Sequence, residues 1–102
     1  GRARSENKLL MVDLYADWCG WCHKLDAEVF SDARVAAALG GVIPIKLDAD
    51  REGQAIAETF RVDGLPAILF LDGSGRLVKR LDGYLDADQM IAVAGALPKG
   101  SA

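Results

Sequence analysis

The sequence predicts one α/β domain, a four-stranded mixed sheet with helices on both faces. Three observations carry this. Strand-like and helix-like segments alternate through the first half of the 102 residues, two strand-like runs flank "DGSG" in the second half, and a final helical stripe follows. The order is β-α-β-α-β-β-α, in which the alternating part builds parallel pairs and the hairpin adds antiparallel ones.

"LLMVDLY" (residues 9–15) is a near-continuous apolar run of strand length, as expected of a central strand covered on both faces. From Gly20 onward Cys22, Leu25 and Val29 recur at helical spacing. "FSDARVAAALGG" adds a second helical piece, with Ser31 as its expected N-cap and Gly40 or Gly41 as its stop. "GVIPIKLDA" (41–49) is the next strand, and Pro44 places it at a sheet edge because proline cannot donate to a ladder. Ile56 and Phe60, four apart within 52–60, mark a short helix with one apolar face. Residues 67–71 and 76–81 form the expected hairpin around "DGSG". Asp86 and Gln89 have the spacing of a capping box, and Met90, Val93, Ala94 and Leu97 form the stripe of a last helix that Pro98 ends.

Composition bounds the function. The chain is 51% hydrophobic and 26% charged, with a net charge of -3 and no basic cluster, which argues against nucleic acid as a partner. No apolar run reaches the roughly 18 residues of a membrane span, and no signal peptide opens the sequence. The first residue is Gly1 rather than Met, so a trimmed amino terminus is expected. Residues 1–8 and 98–102 are taken as extensions of a domain occupying 1–102.

Chemistry concentrates in "ADWCGWCHK" (16–24), where Cys19 and Cys22 stand three apart. As a staple the pair closes so short a loop that it removes only about 2 kcal/mol of unfolded-state entropy. A metal site needs more ligands than one C-x-x-C, and His23 is the only histidine, so no metal is expected unless two chains share their pairs. Two inert buried cysteines are the remaining structural alternative. Position favours redox chemistry. Cys19 falls where the central strand ends and a helix begins, where unpaired N–H groups and the helix dipole favour a thiolate. Cys22, one turn on and facing inward, is expected to be less exposed and to resolve a mixed disulfide formed at Cys19.

Asp13 is a carboxylate inside an apolar strand, six residues before Cys19. Burial raises the pKa of such a group and suits it to exchange a proton with Cys22, through water if need be; Lys46 is its expected neighbouring cation. His23 is expected to be a solvated helix side chain more than a modulator of the thiolate. Asp48, Asp50 and Glu52 lack the full spacing and the glycine of a calcium loop, and are expected to be solvated loop and cap charges.

Taken together, "VDLYADWCGWCHK", "IKLDAD", "GLPAILFLDGSGRLV" and "DGYLDADQ" resemble the thioredoxin superfamily across residues 9–97. The resemblance implies a thioredoxin fold lacking most of the first strand and helix of full thioredoxins. It implies a cis bond before Pro66, a substrate groove lined by Trp18, Gly20, Trp21, Leu65, Pro66 and Gly83, Asp13 as the buried acid, and Lys46 as its cation. Within the superfamily, "DLYADWC", "EVFSDARV" and "GLPAILFLDGSG" look most like the carboxy-terminal domain of bacterial membrane thiol:disulfide interchange proteins.

That resemblance implies a monomeric thiol:disulfide oxidoreductase with no cofactor beyond the Cys19–Cys22 pair. Its partners would be protein disulfides and an upstream, membrane-embedded dithiol donor, and its place periplasmic, with the cytoplasm as the alternative. A binding module without turnover, and a disulfide isomerase or oxidase, are the competing functions. Two departures from thioredoxin stand out. Trp21 replaces the proline between the cysteines and restores an N–H, from which a less reducing pair is expected, and Ala27 replaces the mid-helix proline, with a break instead near Phe30 and Ser31.

Overall fold

The computed structural model describes residues 8–98; the expected extensions, 1–8 and 98–102, lie outside the described residues except for Lys8 and Pro98. Its elements are β1 (Leu9–Tyr15), α1 (Gly20–Leu25), a π-helical turn (Asp26–Phe30), α2 (Ala33–Ala38), β2 (Val42–Asp48), α3 (Gln54–Thr59), β3 (Ala67–Leu71), β4 (Leu77–Asp82) and α4 (Ala87–Ala96). They form a four-stranded sheet in the order β2-β1-β3-β4. β1 pairs parallel with β2 and antiparallel with β3, and β3 pairs antiparallel with β4. The sheet is mixed, β1 is interior, and the proline-bearing β2 is at the edge.

Alternation along β1 divides its side chains between two cores. Met11 joins Ile68 and Phe70 against Leu25, Val29, Val35 and Met90, so α1, the π turn, α2 and α4 cover one face. Val12 and Leu14 join Ala67, Leu69 and Leu71 against Ile56, Ala57 and Phe60 of the α3 region on the other. A strand sandwiched in this way has no solvent face, which is why β1 reads as an unbroken apolar run. By the same period of two, Asp13 shares the face of Met11, towards the helix that carries the cysteines.

Local chemistry sets the boundaries. The capping box at Asp86 and Gln89 forms in both directions, at 2.8 and 2.9 Å. In the hairpin, Asp72 accepts from the N–H of Ser74 and of Arg76 through one oxygen, and Gly75 takes φ +87°. This turn draws in Arg76, so β4 begins one residue later than the expected 76. Ser31 does not cap α2: its hydroxyl donates to the Ala27 carbonyl and closes the π turn, while Asp32 caps α2 by accepting from Arg34 N–H at 2.8 Å. The break expected near Phe30 is therefore the exit of a π turn, a wider coil that forms where no proline removes a donor.

Candidate active site: a disulfide at the mouth of a helix

Cys19 is the N-cap of α1, with extended backbone (φ -85°, ψ 103°) at the point where the chain leaves β1 and turns into the helix. Its amide donates to Ala16 O at 3.0 Å and its carbonyl accepts from His23 N at 3.2 Å, which fixes the turn on both sides. Cys19 and Cys22 form a disulfide with Cα atoms 5.3 Å apart. The Cys22 N–H points at Cys19 Sγ, 3.1 Å away. In the dithiol form a donor so placed, together with the helix dipole, stabilises a thiolate on Cys19. The N–H that reaches this sulfur is that of Cys22, not the one restored at Trp21.

The two sulfurs were expected to differ in exposure. They do not: Cys19 is 3% and Cys22 4% exposed. Both pack with Ala16 against Tyr15 and Leu65, so what separates them is the hydrogen bond to Cys19 rather than access to solvent. Leu65 is followed by a cis peptide bond to buried Pro66. Pro66 O accepts from Gly83 N at 2.8 Å, and Gly83 takes φ +88°, which ties the β4–α4 connection to the wall of the site.

Around this buried centre stand the two large exposed apolar side chains, Trp18 (71%) and Trp21 (57%). Each is held. Trp18 Nε1 donates to Asp50 Oδ2 at 2.7 Å, which joins the loop before Cys19 to the turn after β2. Trp21 packs on Tyr84 with ring centroids 5.5 Å apart, and the Lys24 ammonium lies over both rings at 5.2 and 5.1 Å. Gly20 is exposed, and a Cβ there would meet nothing within 4 Å, so packing does not require glycine at this position. His23 is exposed and its Nε2 donates to Asp17 O at 2.7 Å, clamping the loop before Cys19.

Asp13 lies beneath the site and is only 7% exposed. Its pKa is pushed up to about 6, first by burial and then by the negative charge of Asp26, with Lys46 acting against both. Lys46 pairs with Asp13 in the β1–β2 register, yet its ammonium does not settle there. It bonds Asp26 Oδ2 at 2.5 Å and lies 4.7 Å from the Tyr15 ring centroid. Lys46 is thus the cation expected near Asp13, its charge lowering the acid's pKa, but its hydrogen bond goes to Asp26, because the long lysine stem carries its head to the exposed rim. A cavity of about 240 Å³ bordered by Asp13, Asp26, Phe30, Pro44 and Lys46 opens beside the acid.

Two further residues were not singled out in the sequence. Asp26 had a legible signal, since it stands four after Cys22 on the same helical face. Tyr84 had none, and neither did the pairing of Asp50 with Trp18, because the partners are distant in sequence. Asp48, Asp50 and Glu52 prove not to be merely solvated: Asp48 is 6% exposed and accepts from Asp50 N at 2.8 Å, while Glu52 accepts from Asp48 N. They build the turn that presents Asp50 to Trp18. Among the described residues no group of three or more His, Cys, Asp or Glu is placed to hold a metal ion, and no helix is long and apolar enough to cross a membrane.

A family model described as a thioredoxin-like domain matches residues 1–97. The thiol:disulfide interchange protein DsbD of Haemophilus influenzae (strain PittEE) is 35% identical over 91 residues, 84% of this chain and 16% of that protein. DsbD of Yersinia pestis (strain Pestoides F) is 35% identical over 94 residues, 87% of this chain and again 16% of the relative. The chain therefore spans about one sixth of the length of these relatives. Among solved structures, a thioredoxin from Thermus thermophilus superposes with a TM-score of 0.81 at 26% identity, over 91% of this chain and 75% of that one. The DsbD c-terminal domain of Neisseria meningitidis in the oxidised form gives 0.71 at 26% identity, over 88% and 80%.

Proposed function

The chain belongs to the thioredoxin-like family, and from that premise we propose that it is a thiol:disulfide oxidoreductase that reduces protein disulfides, or relays electrons to them, through Cys19 and Cys22. The observation that carries the proposal is the N-cap disulfide: one sulfur receives the Cys22 N–H, and the buried cluster that holds the pair is packed by Leu65, which precedes a cis-proline. That asymmetry gives the two cysteines different work.

In the reduced protein the Cys19 thiolate attacks one sulfur of a partner disulfide; a mixed disulfide forms, and the partner's other sulfur leaves as a thiolate. Cys22 then gives up its proton and attacks Cys19 Sγ. The Cys19–Cys22 disulfide closes, the second partner sulfur leaves, and the two electrons of the dithiol have passed to the partner. Asp13 takes the Cys22 proton. With a pKa of about 6 it is largely ionised near pH 7 yet more basic than an ordinary aspartate, which suits a proton acceptor. In this reading the proton passes from Cys22 to the carboxylate through a bridging water.

Similarity to thiol:disulfide interchange proteins supports an upstream dithiol donor that is membrane-embedded, and work in an extracytoplasmic compartment where protein disulfides persist. The test is catalysis of insulin reduction by dithiothreitol. The protein is expected to accelerate precipitation of the insulin B chain, and Cys19→Ser to abolish the acceleration. A wild-type rate equal to dithiothreitol alone would instead mark a module that binds without turnover.

A further inference from the structure

Beside Cys19 runs a groove of about 280 Å³ whose wall is apolar, from Trp18, Ala57, Val62 and Leu65, and whose rim carries Asp50, Glu58 and Asp63. It adjoins the disulfide through two residues: Trp18 precedes Cys19 in the chain, and Leu65 packs on the buried cluster of Ala16, Cys19 and Cys22. The three carboxylates are exposed, and no lysine or arginine lines the groove. Their compensation is slight. Asp50 bonds the neutral Trp18 indole and Glu58 accepts only a long 3.4 Å bond from Gln54. Asp63 feels Arg80, but that guanidinium is committed to Asp82 and to the Phe60 and Arg61 carbonyls.

The basic side chain closest to the motif, Lys24, belongs to a separate cluster, over Trp21 and Tyr84. The surface around the disulfide is thus polarised, negative on the Trp18 side and positive on the Trp21 side. We propose that the groove beside Cys19 is a subsite for a lysine or arginine side chain lying close to the reactive cysteine of the partner protein.

Charge complementarity selects this occupant. A long basic side chain lays its aliphatic stem along Leu65, Val62 and Ala57, and its head meets the carboxylates at the rim. The Trp18 indole, fixed in orientation by Asp50, adds a π face for the cation. An acidic side chain in the same place faces three like charges, so the groove discriminates by repulsion as well as attraction.

The proposal rests on the oxidoreductase reading, and the experiment separates the two. Peptides with one cysteine, capped as a mixed disulfide with mercaptoethanol, are made with lysines, serines or glutamates flanking the cysteine. Pre-reduced protein is mixed with each, and release of peptide thiol is followed under single turnover; protein dithiol becomes disulfide as peptide thiol and mercaptoethanol are freed. The lysine peptide is expected to react about five- to tenfold faster than the glutamate peptide at low salt, as a few exposed charge pairs allow, with the ratio shrinking as salt is raised.

Asp50→Asn with Glu58→Gln, which leaves a side-chain oxygen for Trp18 Nε1 and only Asp63 charged at the rim, should remove most of that ratio, and Glu58→Gln alone should lower it part of the way. Asp88→Asn, on α4 and paired with Arg34, removes a distant charge and should leave the ratio intact. Equal rates for the three peptides, a ratio that survives the double substitution, or an equal loss in Asp88→Asn would each overturn the subsite. Failure to reduce any peptide would overturn the oxidoreductase reading and the subsite with it.

Discussion

Replacing Asp13 with asparagine is expected to stabilise the protein above pH 6 and to do far less near pH 4. The carboxyl is nearly inaccessible, and its pKa rises from the ordinary 3.8 to about 6. Between those values the folded protein holds a proton that the unfolded chain has released, so stability falls as pH rises through the window and the loss is complete above it. At about 1.4 kcal/mol per pH unit the full loss is about 3 kcal/mol, a large part of the roughly 5–15 kcal/mol that holds a domain together. Asparagine does not ionise, so its stability curve lacks this descent. Asp32, Glu52 and Asp72, whose pKa values are lowered by hydrogen bonds, titrate alike in both proteins and cancel in the difference. Urea unfolding of wild type and Asp13→Asn at several pH values from 4 to 7.5 supplies the measurement. The gap between the two should widen by about 2–3 kcal/mol across that range. Curves that stay parallel would refute the claim that the acid is buried with incomplete compensation.

Two other substitutions probe the same frame. Asp26→Asn removes the second cause of the raised Asp13 pKa and releases the Lys46 ammonium; the Asp13 carboxyl, followed by NMR titration, should then titrate well below 6, and an unchanged midpoint would mean that burial acts alone. Gly53 and Gly95 should respond to alanine with opposite signs. A Cβ on Gly53 would sit 2.9 Å from Asp48 O, 2.9 Å from Leu14 Cδ2 and 3.0 Å from Leu47 Cβ, which should cost about 1–3 kcal/mol and lower the melting temperature by several degrees. On exposed Gly95 in α4 it meets nothing within 4 Å and should add about 0.5–1 kcal/mol through helix propensity.

The parts of the fold that were legible are those governed by local chemistry or by burial on both faces. β1 showed itself as an unbroken apolar run, Pro44 put β2 at the edge, and the Asp86–Gln89 box formed as its spacing implies. The π turn was not legible, because Cys22, Leu25 and Val29 at intervals of three and four fit an α-helix equally well. At the site, sequence picked out the cysteines, the buried acid and the proline. It missed the contacts that orient the surrounding side chains. Trp18 meets Asp50 across 32 residues, and Trp21 meets Tyr84 across three of the four strands; no local pattern encodes such contacts. Lys46 was placed beside Asp13 as expected, but its hydrogen bond to Asp26 was missed for a related reason: register fixes where its Cα lies, but not which carboxylate a long, flexible stem reaches.

Covalent trapping tests the division of labour between the two sulfurs most directly. Cys22→Ser and Cys19→Ser proteins, each incubated with disulfide-bonded insulin and resolved by non-reducing electrophoresis, differ only in which sulfur remains. Cys22→Ser, which keeps the sulfur that receives the helix N–H, should accumulate a mixed disulfide with insulin, while Cys19→Ser should not. Complexes formed equally by both proteins, or by Cys19→Ser alone, would contradict the assignment of Cys19 as nucleophile and Cys22 as resolver.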